Sequence, residues 1–392
     1  MEKFLNKFKD LSPWLISVRR DLHSTPELGM EEFLTKNKII KYLNEIGIQY
    51  TTFQNHRGVM AYINTPNATR TIAIRADIDA LPILEENNLD YKSIYPGKMH
   101  ACGHDAHTAI LIGTCKVLCE MKDELDVNVK FFFQPAEETD GGALPMINDN
   151  CMENPHVDFT IGLHVMPHIE VGQVELQYDS MNASTDTIKI NITGKHAHGA
   201  YPHQGTDAIV VAANVITSLQ TIVSRNIDPT NSVVLSLGVI NGGTRGNIIC
   251  NEVEIVGTLR TLDSATRNFS KKRISEIVDF TCKSFGASGS LIIEEGYAPL
   301  VNDNFVVDIV KDNTIKLLGE NSVVFRKHAS LGAEDFSFFL EKSKGAFYHL
   351  GCGNFSKDIT APIHTPQFNI DEDCLQIGVI LHVMNVLSLS KI

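Results

Sequence analysis

Val127–Phe133 is a short run that is apolar on both faces, and Phe159–Val165 is a second apolar run. A strand with no polar side has to be covered above and below, which calls for a sheet held between helices. The flanking sequence supplies such helices. Ile39, Ile40, Leu43 and Ile46 recur at helical spacing ahead of Gly47, a residue suited to ending a helix. Ala106–Glu120 reads as another helix. Val59–Ile63 and Thr71–Ala76 read as strands separated by the turn-forming Asn64-Thr65-Pro66-Asn67. Strands alternating with helices predict an α/β fold, with a mostly parallel sheet and helices on both faces.

The pattern changes after Met181. Ile188, Ile190 and Ile192 alternate with polar residues, as in a strand buried on one face. Asp207–Val223 reads as a helix, Ser232–Ile240 and Glu252–Thr261 as strands around Asn241-Gly242-Gly243, Ser264–Phe285 as a long helix and Leu291–Glu295 as a last strand. The order β-α-β-β-α-β is that of a ferredoxin-like unit. A length of 392 residues accommodates two or three domains. The expected organisation is a catalytic domain formed by 1–181 and 297–392, with an α+β domain, 182–296, inserted into it.

Charge narrows the partners. Lys and Arg number 34 against 47 Asp and Glu, a formal net charge of −13. Nucleic acid and anionic membrane surfaces both call for basic patches, so neither is expected as a partner. No stretch reads as the roughly 20 apolar residues of a membrane span. Met1–Lys7 has charge but no apolar leader core, which predicts a mature cytoplasmic N-terminus. The eight cysteines are scattered, without a CxxC pair, and are expected to be reduced.

The strongest local signal is His100-Ala101-Cys102-Gly103-His104-Asp105-Ala106-His107, one thiol and three imidazoles within eight residues. Thiolate and imidazole bind zinc and similar ions, and a glycine between Cys102 and His104 lets a loop turn both toward one point. A polar helix start beside a buried thiol explains the same residues. Gln134-Pro135-Ala136-Glu137-Glu138 follows directly on an apolar strand, where open α/β sheets bind ligands. One carboxylate there can hold a metal while its neighbour moves protons; a solvated acidic loop is the alternative. Asp77 and Asp79 close another strand, either to orient a ligand histidine or to shape a turn. His164, in Gly162-Leu163-His164, and His364, in His364-Thr365-Pro366, are single histidines, each a ligand or a structural residue. Together, Cys102, His104, Glu138, His164 and His364 exceed what one tetrahedral zinc can hold. They suit two metals about 3.5–4 Å apart that share a bridging ligand.

These motifs resemble the signatures of the amidohydrolase branch of the dinuclear metallopeptidases. That branch includes hippurate hydrolase, N-acyl amino acid amidohydrolases, auxin-conjugate hydrolases and N-acetyldiaminopimelate deacetylase. The likeness runs from Arg20-Asp21-Leu22-His23 to His364-Thr365-Pro366. It implies hydrolysis of the amide bond of N-acyl amino acids, with two divalent ions (zinc, manganese, cobalt or nickel) held by Cys102, His104, Glu138, His164 and His364. It implies Glu137 as general base and Asp79, ahead of Asp77, as an orienting carboxylate. The inserted domain is implied to be a lid that joins two copies into a homodimer. There His198, ahead of His196 and His203, would reach a neighbouring site, and Asn247 and Arg260 would hold the substrate carboxylate. The chain departs from the wider superfamily in having Asp77-Ile78-Asp79 where His-x-Asp is frequent, and Thr139-Asp140 ahead of Gly141-Gly142.

Two other chemistries fit parts of the pattern. Cys102 could act as a thiolate nucleophile activated by His104. A closed, four-coordinate structural zinc could sit in a non-catalytic binding protein. Neither gives Glu137 beside Glu138 a role.

Overall fold

The computed structural model describes residues 5, 8 and 10–392. Met1–Phe4, Asn6, Lys7 and Lys9, which include most of the expected mature N-terminus, lie outside the described residues. The chain divides into two compact units. The first is Met1–Asp179 with Asn302–Lys327 and Asp335–Ile392; the second is Ser180–Val301 with His328–Glu334.

The first unit opens with α1 (Leu11–His23) and α2 (Phe33–Ile46). α2 buries Ile39 and Leu43 and stops at Gly47, whose φ of 78° is the left-handed conformation that favours glycine. Strands β1 (Gln49–Thr52), β2 (Val59–Ile63) and β3 (Thr71–Asp77) follow, then α3 (His104–Glu120), β4 (Asn128–Gln134), β5 (Phe159–Glu170) and β6 (Val174–Leu176). The second unit contributes β7 (Asp186–Thr193), α4 (Ala208–Thr221), β8 (Val233–Gly242), β9 (Glu252–Thr261), α5 (Ser264–Ser284) and β10 (Ser288–Glu295). The chain returns to the first unit with α6 (Asn304–Leu318), β11 (Val323–Phe325), β12 (Lys344–Gly353) and α7 (Asp373–Leu389).

In the first unit the strand order is β1-β2-β4-β3-β5-β12-β6-β11. The central pairs β4–β3, β3–β5 and β5–β12 are parallel, whereas β1–β2, β2–β4 and β12–β6 are antiparallel. The turn at residues 64–67 therefore does not close a hairpin, because β4 lies between β2 and β3. Phe131, Phe132 and Phe133 of β4 are fully buried, and the strand has a neighbour on each edge. Helices α1, α3 and α7 pack on one another and share a core with the sheet. Because the parallel strands run the same way, β3, β4 and β5 bring their C-terminal ends to one side.

The second unit has its own core and a four-stranded antiparallel sheet ordered β8-β9-β7-β10. Ile188, Ile190 and Ile192 are its buried apolar positions on β7. Asp263 caps α5 by accepting the Thr266 N–H. The segment His328–Glu334 joins this unit because Ser330 N–H donates to Met181 O at 2.8 Å and Ser330 O accepts from Ala183 at 2.9 Å. Nothing in the sequence of 328–334 points to that addition. One expectation needs correcting: Ala208–Asn226, α4 with the turn that follows it, is long and apolar enough to cross a membrane. Val211, Ala212, Val215 and Leu219 are buried in the core of the second unit, whereas Ile209 and Val210 are exposed. All eight cysteines are free, and all but Cys119 are buried.

Candidate metal centre

The site grows from the C-terminal ends of the parallel strands and the first turn of α3. Gly103 precedes α3 with φ 87°, and a Cβ there would fall 2.4 Å from a methyl of Val165. Only glycine lets the chain turn so tightly against β5, and the turn aims Cys102 and His104 into the same space. The Cys102 Sγ lies 3.3 Å from His164 Nε2 and 3.2 Å from His364 Nε2. His364 arrives from the far end of the sequence with φ 61° and donates its own N–H to Ala101 O at 2.8 Å. A bulky residue in the left-handed region is held there by its surroundings, a common feature of functional sites. The loop after β4 carries the same mark, with Ala136 at φ 56° just before Glu137 and Glu138. Glu138 Oε1 is 3.1 Å from His364 Nε2 and 4.0 Å from His104 Nε2.

These side chains form two overlapping sets, Cys102–His104–His164 and Cys102–Glu138–His364, each with its donor atoms within 4.8 Å of one another. Cys102 belongs to both. A further set, His104–Glu137–Glu138, brings Glu137 to the same place. The five ligands inferred from sequence and the inferred base thus converge.

Hydrogen bonds around the cluster fix which atoms face it. Asp79 Oδ1 lies 3.1 Å from His104 Nδ1, and Asp79 Oδ2 accepts the Glu138 N–H at 3.0 Å. One buried carboxylate thereby orients two of the five. His164 donates Nδ1–H to Val165 O at 2.8 Å, which turns Nε2 toward Cys102. The other aspartate has different partners: Asp77 pairs with His107 Nδ1 at 2.5 Å and with Arg75 at 2.6 Å. Arg75 continues to Asp335 at 2.8 Å, and Asp335 accepts the Ala143 N–H at 3.0 Å.

The donor set fits divalent ions. His104 Nε2 is buried without a hydrogen-bond partner, in a protein interior where such atoms are rare. Burial and the charges of Glu138, Glu137 and Asp77 push the Cys102 thiol well above its usual range. Burial acts to lower the His104 pKa, but Asp77, Asp79 and Glu138 outweigh it and raise it to about 10. Burial and the neighbouring His107 push His164 well below its normal value, leaving a neutral imidazole. Carboxylates that favour positive charge, beside a thiol and neutral imidazole nitrogen, are the surroundings a thiolate-binding cation satisfies.

His107, Arg75 and Asp335 were not assigned from the sequence. His107 stands one turn along α3 from His104 inside the motif already singled out, and that spacing is a usable signal. Arg75 and Asp335 are 260 positions apart; Asp335 follows Glu334 as a second pair of adjacent carboxylates, but nothing in the sequence joins that pair to Arg75. His198, Asn247 and Arg260 belong to the second unit. His198 is exposed, pairs with Ile248 and lies beside Asn247, whose carbonyl accepts the Gly199 N–H at 2.8 Å. Arg260 donates to Leu331 O at 2.9 Å. His196 and His203 are exposed on the same unit.

A parallel-centred α/β unit with this donor set at its strand ends defines a metallopeptidase-like hydrolase. The chain belongs to peptidase family M20/M25/M40, which its residues 73–386 match. It is 41% identical over 365 residues to the N-acetyl-L-cysteine deacetylase of Bacillus subtilis strain 168, covering 93% of this chain and 85% of that one. It is 37% identical over 386 residues to the IAA-amino acid hydrolase ILR1-like 4 of Arabidopsis thaliana, covering 97% and 87%. The solved structure of the Bacillus subtilis YXEP protein, a dinuclear metal binding peptidase of the M20 family, matches with a TM-score of 0.84. The identity there is 31%, over 98% of this chain and 99% of that one. The protein is an amidohydrolase/peptidase-like enzyme.

Proposed function

We propose that the enzyme hydrolyses the amide bond of N-acyl amino acids, releasing a carboxylic acid and a free amino acid, with two divalent metal ions per subunit. The observation that carries this reading is the convergence of Glu137 with two donor sets that share Cys102. Cys102, His104, Glu138, His164 and His364 would hold the ions. Bound there, such ions lower the pKa of water and polarise a carbonyl oxygen. Glu137 accepts the proton of the attacking water and passes it to the leaving nitrogen, which departs as an amine. Asp79 keeps His104 Nε2 and Glu138 aimed inward. The names of the deacetylase and the IAA-amino acid hydrolase support the substrate class. Zinc, manganese, cobalt and nickel all suit such ligands.

His198, from a second copy of the chain, donates to the oxygen that gains charge, and Asn247 and Arg260 hold the substrate carboxylate. The second unit supports a homodimer: its edge strand β8 exposes Val239 and Ile240, and α4 exposes Ile209 and Val210. Cys102 as a free nucleophile fares worse, because a thiol held protonated attacks poorly. The test is hydrolysis of acetyl-, benzoyl- and indoleacetyl-amino acids by metal-reconstituted protein. Activity lost on chelation and restored by divalent ion supports the proposal. Turnover that survives complete chelation overturns it.

A further inference from the structure

Glu32 is a fully buried carboxylate at the N-cap position of α2, yet its side chain does not cap the helix. That work falls to Glu27, whose two oxygens accept the N–H groups of Leu34 at 3.0 Å and Thr35 at 2.7 Å. Glu32 Oε1 instead accepts the N–H of Ala136 at 2.8 Å, 104 positions along the chain, and Oε2 is buried without a hydrogen-bond partner. Ala136 is the left-handed residue, φ 56°, immediately before Glu137 and Glu138. Alanine has no intrinsic preference for that conformation, so the loop depends on what grips it. At Ala136 itself the carbonyl accepts from Gly141 at 2.9 Å and the N–H goes to Glu32, while further along Asp79 accepts the Glu138 N–H at 3.0 Å. The segment leading to Glu32 also lies against this loop. A Cβ on Gly29 would fall 2.4 Å from Thr139 Oγ1 and 3.2 Å from Ala136 Cα, and Glu27 O accepts the Ala80 N–H at 2.9 Å beside Asp79.

We propose that Glu32 is a positioning residue for hydrolysis, clamping the Ala136 N–H so that the left-handed turn presents Glu137 to the metal centre, while Glu138 is held separately through its N–H by Asp79. The proposal rests on the assignment of Glu137 as base. A carboxylate in this place is expensive in burial and does not cap its own helix, and its hydrogen bond to Ala136 joins it to the loop.

The experiment compares Glu32→Ala, Glu32→Asp, Glu32→Gln and Glu137→Gln in metal-reconstituted enzyme, reading kcat, KM, bound metal and melting temperature. Displacing a catalytic group by about 1 Å can cost roughly 10²-fold. Glu32→Ala should therefore lower kcat by about 10- to 100-fold, with KM within about twofold and metal stoichiometry unchanged. Glu32→Asp keeps the charge but withdraws the acceptor from Ala136. It should share the loss, and it provides the reading if the alanine variant fails to fold. Glu32→Gln keeps an oxygen at the right reach and should restore kcat to within about threefold of wild type. Wild-type kcat in Glu32→Asp, a Gln variant as impaired as the Asp variant, or losses that follow metal content would each overturn the clamp. Normal turnover in Glu137→Gln would instead remove the base assignment, whatever Glu32 does.

Discussion

His104 has one ring nitrogen on Asp79 and the other buried without a hydrogen-bond partner, 4.0 Å from Glu138, and that asymmetry sets what the ring can do. Its neighbour in the cluster, Glu137, is the proposed base, and a base must exchange protons. Its replacement should separate chemistry from binding. Glu137→Gln is expected to lower kcat by about 10²–10⁴-fold, the usual worth of a general base, and to leave the bound-metal count unchanged. Steady-state kinetics with metal analysis decides it; loss of metal in parallel would make Glu137 a ligand. At this scale the sequence was legible where chemistry is compressed. Cys102 and His104 are two positions apart, and Glu137 adjoins Glu138, so residue type and spacing single them out, while their roles come from the family resemblance. Asp335 ties Arg75, Gln134 and the Ala143 N–H together across long stretches of chain, and although it follows Glu334 directly, that adjacency says nothing of these partners. Only the fold brings it there, so no motif could announce it.

Elements tell a similar story, with the strand order as the part that stayed hidden. Val127–Phe133 declares a strand buried on both faces, but not that it will separate β2 from β3, since any strand can satisfy its hydrogen-bonding edges. β6 and β12 meet through an antiparallel register that sets Glu175 opposite His349, and Glu175 Oε2 pairs with His349 Nδ1 at 2.8 Å. His168 stands 3.6 Å from the other oxygen. Burial acts to raise the Glu175 pKa, but His168, His349 and Arg326 outweigh it and hold the carboxyl well below the usual 4.5. A depressed acid stabilises the fold above its unfolded pKa, and that contribution fades as pH falls toward the native value. Wild type should therefore exceed Glu175→Gln in stability at about pH 5, where the carboxylate is charged. The margin should shrink below about pH 4.5. Denaturant titrations across that range check it; a margin that widens in acid would reverse the sign of the pairing.

At the scale of the whole molecule, every proposed metal ligand lies in the first unit, and His198, Asn247 and Arg260, proposed to meet the substrate, lie in the second. The edge strand β8 exposes Ile240 at 55%, an apolar edge of the kind that proteins cover by association. Ile240→Lys should convert a sedimenting dimer into a monomer and reduce turnover with it; a wild-type monomer would remove the shared site. Metal removal should divide the molecule differently. An ion held at a hundred times its dissociation constant stabilises the state that binds it by about 2.7 kcal/mol. That stabilisation acts on the first unit alone, because the second has its own core and none of the ligands. Calorimetry of the metal-loaded protein should show the first unit's transition falling by several degrees on chelation, the second unit's staying fixed, and added divalent ion restoring the gap. Equal shifts in both would mean that the ions act on the assembly and not on the cluster around Cys102.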